Sequence, residues 1–117
     1  MQIFSRIWQR TPSEPLVSVV VASYNHAHFV ADCLRSALSQ GIDPLEIIVT
    51  DDGSTDATAE QVAALANPRI HLHRFAQNRG ACVALNDAIR RSRGRYIAVL
   101  NSDDLFLPGK LRRQLQH

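Results

Sequence analysis

The sequence predicts an α/β fold: a mostly parallel sheet, truncated to about four strands, with helices on both faces. Three observations carry the prediction. Apolar, β-branched runs recur along the chain and have the composition of buried strands. They alternate with segments of helical periodicity, and such alternation implies parallel strands joined by right-handed crossovers. Three of the runs lead into polar clusters at residues 23–26, 51–56 and 101–104, which a parallel sheet gathers on one rim, where open α/β sheets bind ligands. With 117 residues, 45% hydrophobic and 21% charged, the chain is one domain or a piece of one, with enough apolar residues for a core.

Taken in order, residues 1–15 read as a leader or a short amphipathic helix. Ile3, Phe4, Ile7 and Trp8 fall on one helical face with Arg6 and Arg10 elsewhere, a pattern suited to peripheral contact with a membrane surface or a partner. Packing on the domain and disorder are the alternatives. Pro12 and Pro15 end the segment. The main unit is residues 16–117. Residues 16–22 are a buried strand. Phe29, Val30, Cys33, Leu34, Ala37 and Leu38 repeat at helical spacing, and Gly41 and Pro44 close that helix. Residues 45–50 form the second strand. The next helix takes Ser54, Thr55 or Asp56 as its N-cap, buries Val62, Ala63, Leu65 and Ala66, and stops at Asn67-Pro68.

Residues 69–75 alternate, with Ile70, Leu72 and Arg74 on one side and His71, His73 and Phe75 on the other, as in an edge strand. Paired histidines there are more often solvent-facing than metal ligands. A turn at 78–80 opens a helix over 81–91 with Ala81, Ala84, Leu85, Ala88 and Ile89 inward. A strand at 96–100 follows, then a last helix with Pro108 in its first turn, running through Gln116.

Composition excludes several functions. A net charge of +2 is too small to imply nucleic-acid binding. The late basic residues, Arg90, Arg91, Arg93, Arg95, Lys110, Arg112 and Arg113, read as solvated helix ends, with a phosphate- or lipid-facing patch as the alternative. Cys33 and Cys82 form no CxxC pair and read as reduced, buried thiols, as suits the cytoplasm, with the inner face of the membrane as an alternative location. No run has the length of a membrane span or the apolar core of a signal peptide. Neither GxGxxG nor GxxxxGK[ST] occurs, so the dinucleotide and P-loop readings lack their phosphate loops.

The three polar clusters have a chemistry that suits a nucleotide diphosphate. Tyr24 can flank a base, and Asp52 can accept from a base N–H. Asp103, with Asp104 or Asn101, can hold a hard cation against the diphosphate. The alternatives are a core-capping tyrosine, turn chemistry at Asp52-Gly53 and a plain surface turn at the acidic tip.

The motifs VSVVVASYN from Val17, EIIVTDDGSTD from Glu46, Asn78-Arg79-Gly80 with Ala84-Leu85-Asn86, GRYI from Gly94, and Asn101-Ser102-Asp103-Asp104 resemble the start of a family 2 glycosyltransferase with the Rossmann-like GT-A fold. The resemblance implies an inverting transferase that uses a nucleotide-diphospho-sugar, often a UDP-sugar, with Mn²⁺ or Mg²⁺. Tyr24 and Asp52 match the family's base-binding positions, and Asp103 matches the metal-binding aspartate of its DxD signature. Asn101 stands where the first aspartate is usual, and Asp104 can compensate. Ala22, Asn25, Gly53, Asn78, Gly80 and Ser102 fall at donor-side positions, and Asn86 matches as a structural residue. The resemblance covers only the donor-binding half. The catalytic base is expected beyond His117, and the acceptor, whether saccharide, lipid or protein, is unassigned. A rival reading is a non-catalytic module that self-associates through an exposed sheet edge.

Overall fold

The structure, a computed structural model, describes residues 2–5 and 15–115. Along the chain come β1 (Gln2–Ser5), β2 (Val17–Ser23), α1 (Val30–Leu38), β3 (Leu45–Asp51), α2 (Thr58–Ala64), β4 (Ile70–Arg74), α3 (Ala81–Arg91), β5 (Tyr96–Val99) and α4 (Lys110–Leu115). The sheet order is β1-β5-β2-β3-β4. β2 to β5 are mutually parallel, and β1 runs antiparallel to β5. The fold is the expected α/β arrangement.

The strand sequences explain the layers. β2 and β3 are covered on both faces, so both are almost unbroken apolar runs. Val17, Val19 and Val21 point to the larger core, with Ile47, Val49, Leu34 of α1, Val62 of α2 and Leu111 of α4. The alternate residue Val20 points to the smaller core, with Ile48, Ile97 and Ala88 of α3. Polar anchors supplement that second face. Ser18 Oγ donates to Glu46 Oε2 (2.6 Å), the Arg93 N–H donates to the same oxygen (2.6 Å), and the Gly94 N–H donates to Ser18 Oγ (2.7 Å). Gly94 lies so close to β2 that a Cβ there would stand 2.5 Å from the Ser18 nitrogen.

Several expectations need correction. Residues 2–5 are a strand, not the start of an amphipathic helix. A run this short does not distinguish the two periodicities, and the open edge of β5 offers N–H and C=O groups that β1 satisfies. The edge beside β5 is therefore not bare. The rest of the leader, with Arg6, Ile7, Trp8, Arg10 and Pro12, lies outside the described residues, as does the expected end of the last helix at Gln116. That helix begins at Lys110, after a turn closed by Lys110 N–H to Leu107 O (3.1 Å). α2 begins at Thr58 rather than near residue 55. Of its expected caps, Asp56 does accept the Thr58 N–H (2.9 Å), while Ser54 and Thr55 are spent on neighbouring loops. Cys33 is buried but Cys82 is exposed. Among the described residues, no helix is long and apolar enough to cross a membrane.

His73 is not simply solvent-facing. Its Nδ1 meets Asp87 Oδ2 at 2.9 Å, and the Arg91 guanidinium meets its Nε2 at 3.2 Å. The same Asp87 oxygen accepts from Thr50 Oγ1 (2.8 Å) and Arg91 Nε (2.9 Å). This network pins α3 to the carboxyl-terminal ends of β3 and β4. Asn86, singled out from the sequence, is exposed; its neighbour Asp87 faces the sheet.

Burial works against the charge on Asp87, but hydrogen bonds from His73, Thr50 and Arg91 and the charge of Arg91 outweigh it and hold its pKa at about 2, from an ordinary 3.8. A carboxyl depressed by folding stabilises the fold above its unfolded pKa and loses that contribution as pH falls through the folded value. Urea titrations should therefore show ~2 kcal/mol of stability disappearing between about pH 4 and pH 2. Asp87→Asn should lower stability at pH 7 and flatten this part of the acid slope.

Candidate functional site

The site is built where the strand order reverses. From β2 the chain proceeds to β3 and β4 on one side, then returns to place β5 on the other. Ligands of open α/β sheets bind at this switch, beyond the carboxyl ends of the strands. The loops after β2, β3 and β5 meet there.

The first two loops are laced together. Ser23 Oγ donates to Asp51 Oδ1 (2.9 Å), the Asn25 N–H to Ser54 Oγ (2.9 Å) and the His26 N–H to Thr58 Oγ1 (2.9 Å). In return, Asn25 Oδ1 accepts the Thr55 N–H (2.9 Å). Asn25 adopts a left-handed conformation, with φ of 52°, which asparagine tolerates better than most residues. Asp51, fully buried, also takes the Ser54 N–H (2.9 Å) and hydroxyl (2.6 Å). A hydrogen bond from Thr58 holds the carboxyl of exposed Asp56 below its ordinary range.

Asp52 binds the opposite way. Its Oδ1 accepts the Arg79 N–H (2.7 Å), and its Oδ2 accepts the Gly80 N–H (3.1 Å) and Asn78 Nδ2 (3.1 Å). A carboxylate offers about four acceptor sites, so this clamp leaves roughly one open. Gly53 sits where the two loops touch. Its φ is +73°, and a Cβ there would lie 2.5 Å from the Gln77 carbonyl carbon.

Between these loops opens a cavity of about 220 Å³, lined by Ala22, Ser23, Tyr24, Asp52, Asn78, Gly80 and Ala81. Five of the donor-side residues read from the sequence thus share one cavity: Ala22, Tyr24, Asp52, Asn78 and Gly80. Three do not line it. Asn25 and Gly53 join loops, and Ser102 is buried with its hydroxyl 2.6 Å from His26 Nδ1. Ser23 and Ala81, which the sequence did not mark, complete the wall. A larger cleft, about 310 Å³, lies between β4 and the end of α3, but its Glu46 and His73 are already engaged.

The acidic tip is held from below. The Cys33 thiol donates to the Asn101 carbonyl (3.4 Å), and the Asp104 N–H to the same oxygen (3.0 Å). Burial, then the charges of Asp104 and Asp103, push the Cys33 thiol up to about 12. Asp103 is exposed, and its carboxylate accepts no hydrogen bond among the described residues. Asp104 Oδ1 accepts the Leu105 N–H (2.9 Å), and Oδ2 takes no part in that bond. Asn101 is exposed. This all-oxygen donor set fits Mg²⁺ or Mn²⁺. Among the described residues, no group of three or more His, Cys, Asp or Glu side chains is placed to hold a metal alone. An ion at this tip would draw its remaining ligands from phosphate oxygens and water.

Residues 18–117 match the model of glycosyl transferase family 2. The chain belongs to this family. It is 45% identical over 102 residues to the succinoglycan biosynthesis protein ExoO of Rhizobium meliloti, covering 87% of this chain and 29% of that protein. Among solved family structures, residues 1–349 of S. aureus TarS in complex with UDP-GlcNAc superpose with a TM-score of 0.77 at 25% identity, covering 86% of this chain and 30% of that one. The mannosyltransferase PcManGT of Pyrobaculum calidifontis, in complex with GDP-Man and Mn²⁺, gives 0.74 at 29% identity, covering 89% and 33%. The fold is therefore GT-A, and the chain spans roughly a third of these family members.

The contact at Gly53 yields a test of how the loops are packed. Gly53→Ala should cost about 1–3 kcal/mol in urea unfolding, from backbone strain and the clash with Gln77.

Proposed function

We propose that this chain carries the donor- and metal-binding part of an inverting glycosyltransferase that moves a sugar from a nucleotide-diphospho-sugar, a UDP-sugar, to an acceptor hydroxyl. The observation that supports it most is the meeting of Tyr24, Asp52 and Asn78 around one cavity, with the Asp103 loop tied to the Tyr24 loop by the His26–Ser102 hydrogen bond. The UDP-GlcNAc and GDP-Man complexes of the related TarS and PcManGT point to the same class of donor.

On this reading the half-open ring of Tyr24 flanks the base. The open acceptor site of Asp52 takes a base N–H, a one-directional demand that favours a base presenting an imino donor, as uracil does. Asn78 and Gly80 are held in place by Asp52 and form the wall behind the base. Asn25, Gly53 and Ser102 act by fixing the loops and do not touch the donor. Asp103, with Asp104 and Asn101, would hold Mn²⁺ or Mg²⁺ beside the diphosphate. When bound, that ion would neutralise charge developing on the leaving diphosphate. The acceptor oxygen attacks the anomeric carbon from the face opposite the diphosphate, which inverts its configuration, while a general base removes the proton. That base is assigned to no residue of this chain, so the chain by itself should bind donor and transfer little or no sugar.

Calorimetry tests the reading. UDP should bind saturably in Mn²⁺, and Asp103→Ala should weaken binding at least about tenfold, ~1.4 kcal/mol. A folded wild-type chain that gives no heat with UDP and Mn²⁺ would overturn the donor-site assignment.

A further inference from the structure

We infer that His26 is a positioning residue for the cation-binding tip: by holding the Ser102 hydroxyl it sets the direction of the Asp103 carboxylate. The inference rests on the donor-site reading above and deepens it.

His26 is itself anchored on several sides. Its N–H is bound by Thr58 Oγ1 (2.9 Å). Its carbonyl accepts the Phe29 N–H (3.0 Å) and the Val30 N–H (2.9 Å), starting the turn that becomes α1. Its ring meets Phe29 edge-on, with centroids 6.2 Å apart and planes at 80°. A ring fixed in this way presents Nδ1 at a defined point, and Ser102 Oγ lies 2.6 Å from it. Ser102 is 2% exposed, whereas Asp103, the next residue, is exposed. The Ser102 hydroxyl is thus held inward while Asp103, beside it in the turn, stands exposed.

This bond spans the switch point between β2 and β5. Two further ties join this stretch to α1: the Cys33 thiol to the Asn101 carbonyl (3.4 Å), from a weak donor, and the Phe106 N–H to Ser36 Oγ (2.9 Å), two residues past the tip. Within residues 101–104, His26 is the side chain that holds Ser102 itself, the residue beside Asp103. The nucleoside side of the cavity has its own ties: Asp52 holds Asn78 and the 79–80 backbone, and the residues flanking Tyr24 are held by Ser23 Oγ to Asp51 and the Asn25 N–H to Ser54. His26 should accordingly matter for cation affinity and not for nucleoside affinity.

The test uses the full chain with His26→Leu and His26→Asn. Asparagine places a polar side-chain atom close to where Nδ1 stood, and leucine does not. At saturating UDP, Mn²⁺ titration followed by the electron paramagnetic resonance of the free ion should show affinity falling about tenfold in His26→Leu and largely recovered in His26→Asn. Uridine affinity without metal should be unchanged in both. In metal-free protein, amide exchange at Asp104 should quicken in His26→Leu while global stability barely moves. If His26→Leu does not fold, Ser102→Ala removes the same bond from the other side and should show the same loss. Wild-type Mn²⁺ affinity in the leucine or alanine variant overturns the inference and leaves the donor site standing. Failure of the wild-type chain to bind UDP with Mn²⁺ overturns both.

Discussion

Asp51 and Asp52 stand side by side at the end of β3, both buried, and they face opposite loops. Asp51 gathers the hydroxyls of Ser23 and Ser54; Asp52 gathers the backbone of residues 79–80. Two adjacent carboxylates out of water are costly unless their oxygens are fully hydrogen-bonded. Among the described residues, no buried side-chain nitrogen or oxygen lacks a partner. That demand shapes the rim. The loops are drawn in to satisfy the pair, and the cavity is the space left between them.

The two faces of the sheet are held by different means. Under α1, α2 and α4 the contacts are apolar and continuous. Under α3 a small apolar cluster is flanked by Ser18 with Glu46 near the start of the strands and Thr50 with Asp87 near their ends. Apolar surfaces tolerate sliding better than directional bonds do, so the polar anchors fix the register of α3 along the sheet. Gly80 and Ala81, at the start of that helix, line the cavity between the loops, and the anchors set their position.

Much of this was legible in the sequence because it follows from local pattern. Residues 17–21 read as a doubly covered strand and are one; helix α3 begins and ends where its periodicity and flanking residues place it. The shared rim followed from parallel topology alone, which gathers the loops at 23–26, 51–56 and 101–104, whereas Asn78 was marked only by the family resemblance. What stayed hidden depends on partners distant in sequence. Asn25 looks like a ligand-facing amide until Thr55 is seen opposite it. Asp87 looks like a surface residue until Thr50 and His73 converge on it. β1 could not be recognised because four residues show no period, and its pairing belongs to the edge of β5 as much as to its own sequence.

Cys33 lies buried beneath the acidic tip, and burial pushes its thiol up to about 12, so it is protonated and unreactive at neutral pH. Cys82 lies exposed in the first turn of α3. The chain therefore offers one accessible handle for maleimide chemistry, next to Ala81 in the cavity wall, where a fluorophore can report on occupancy without engineering a cysteine.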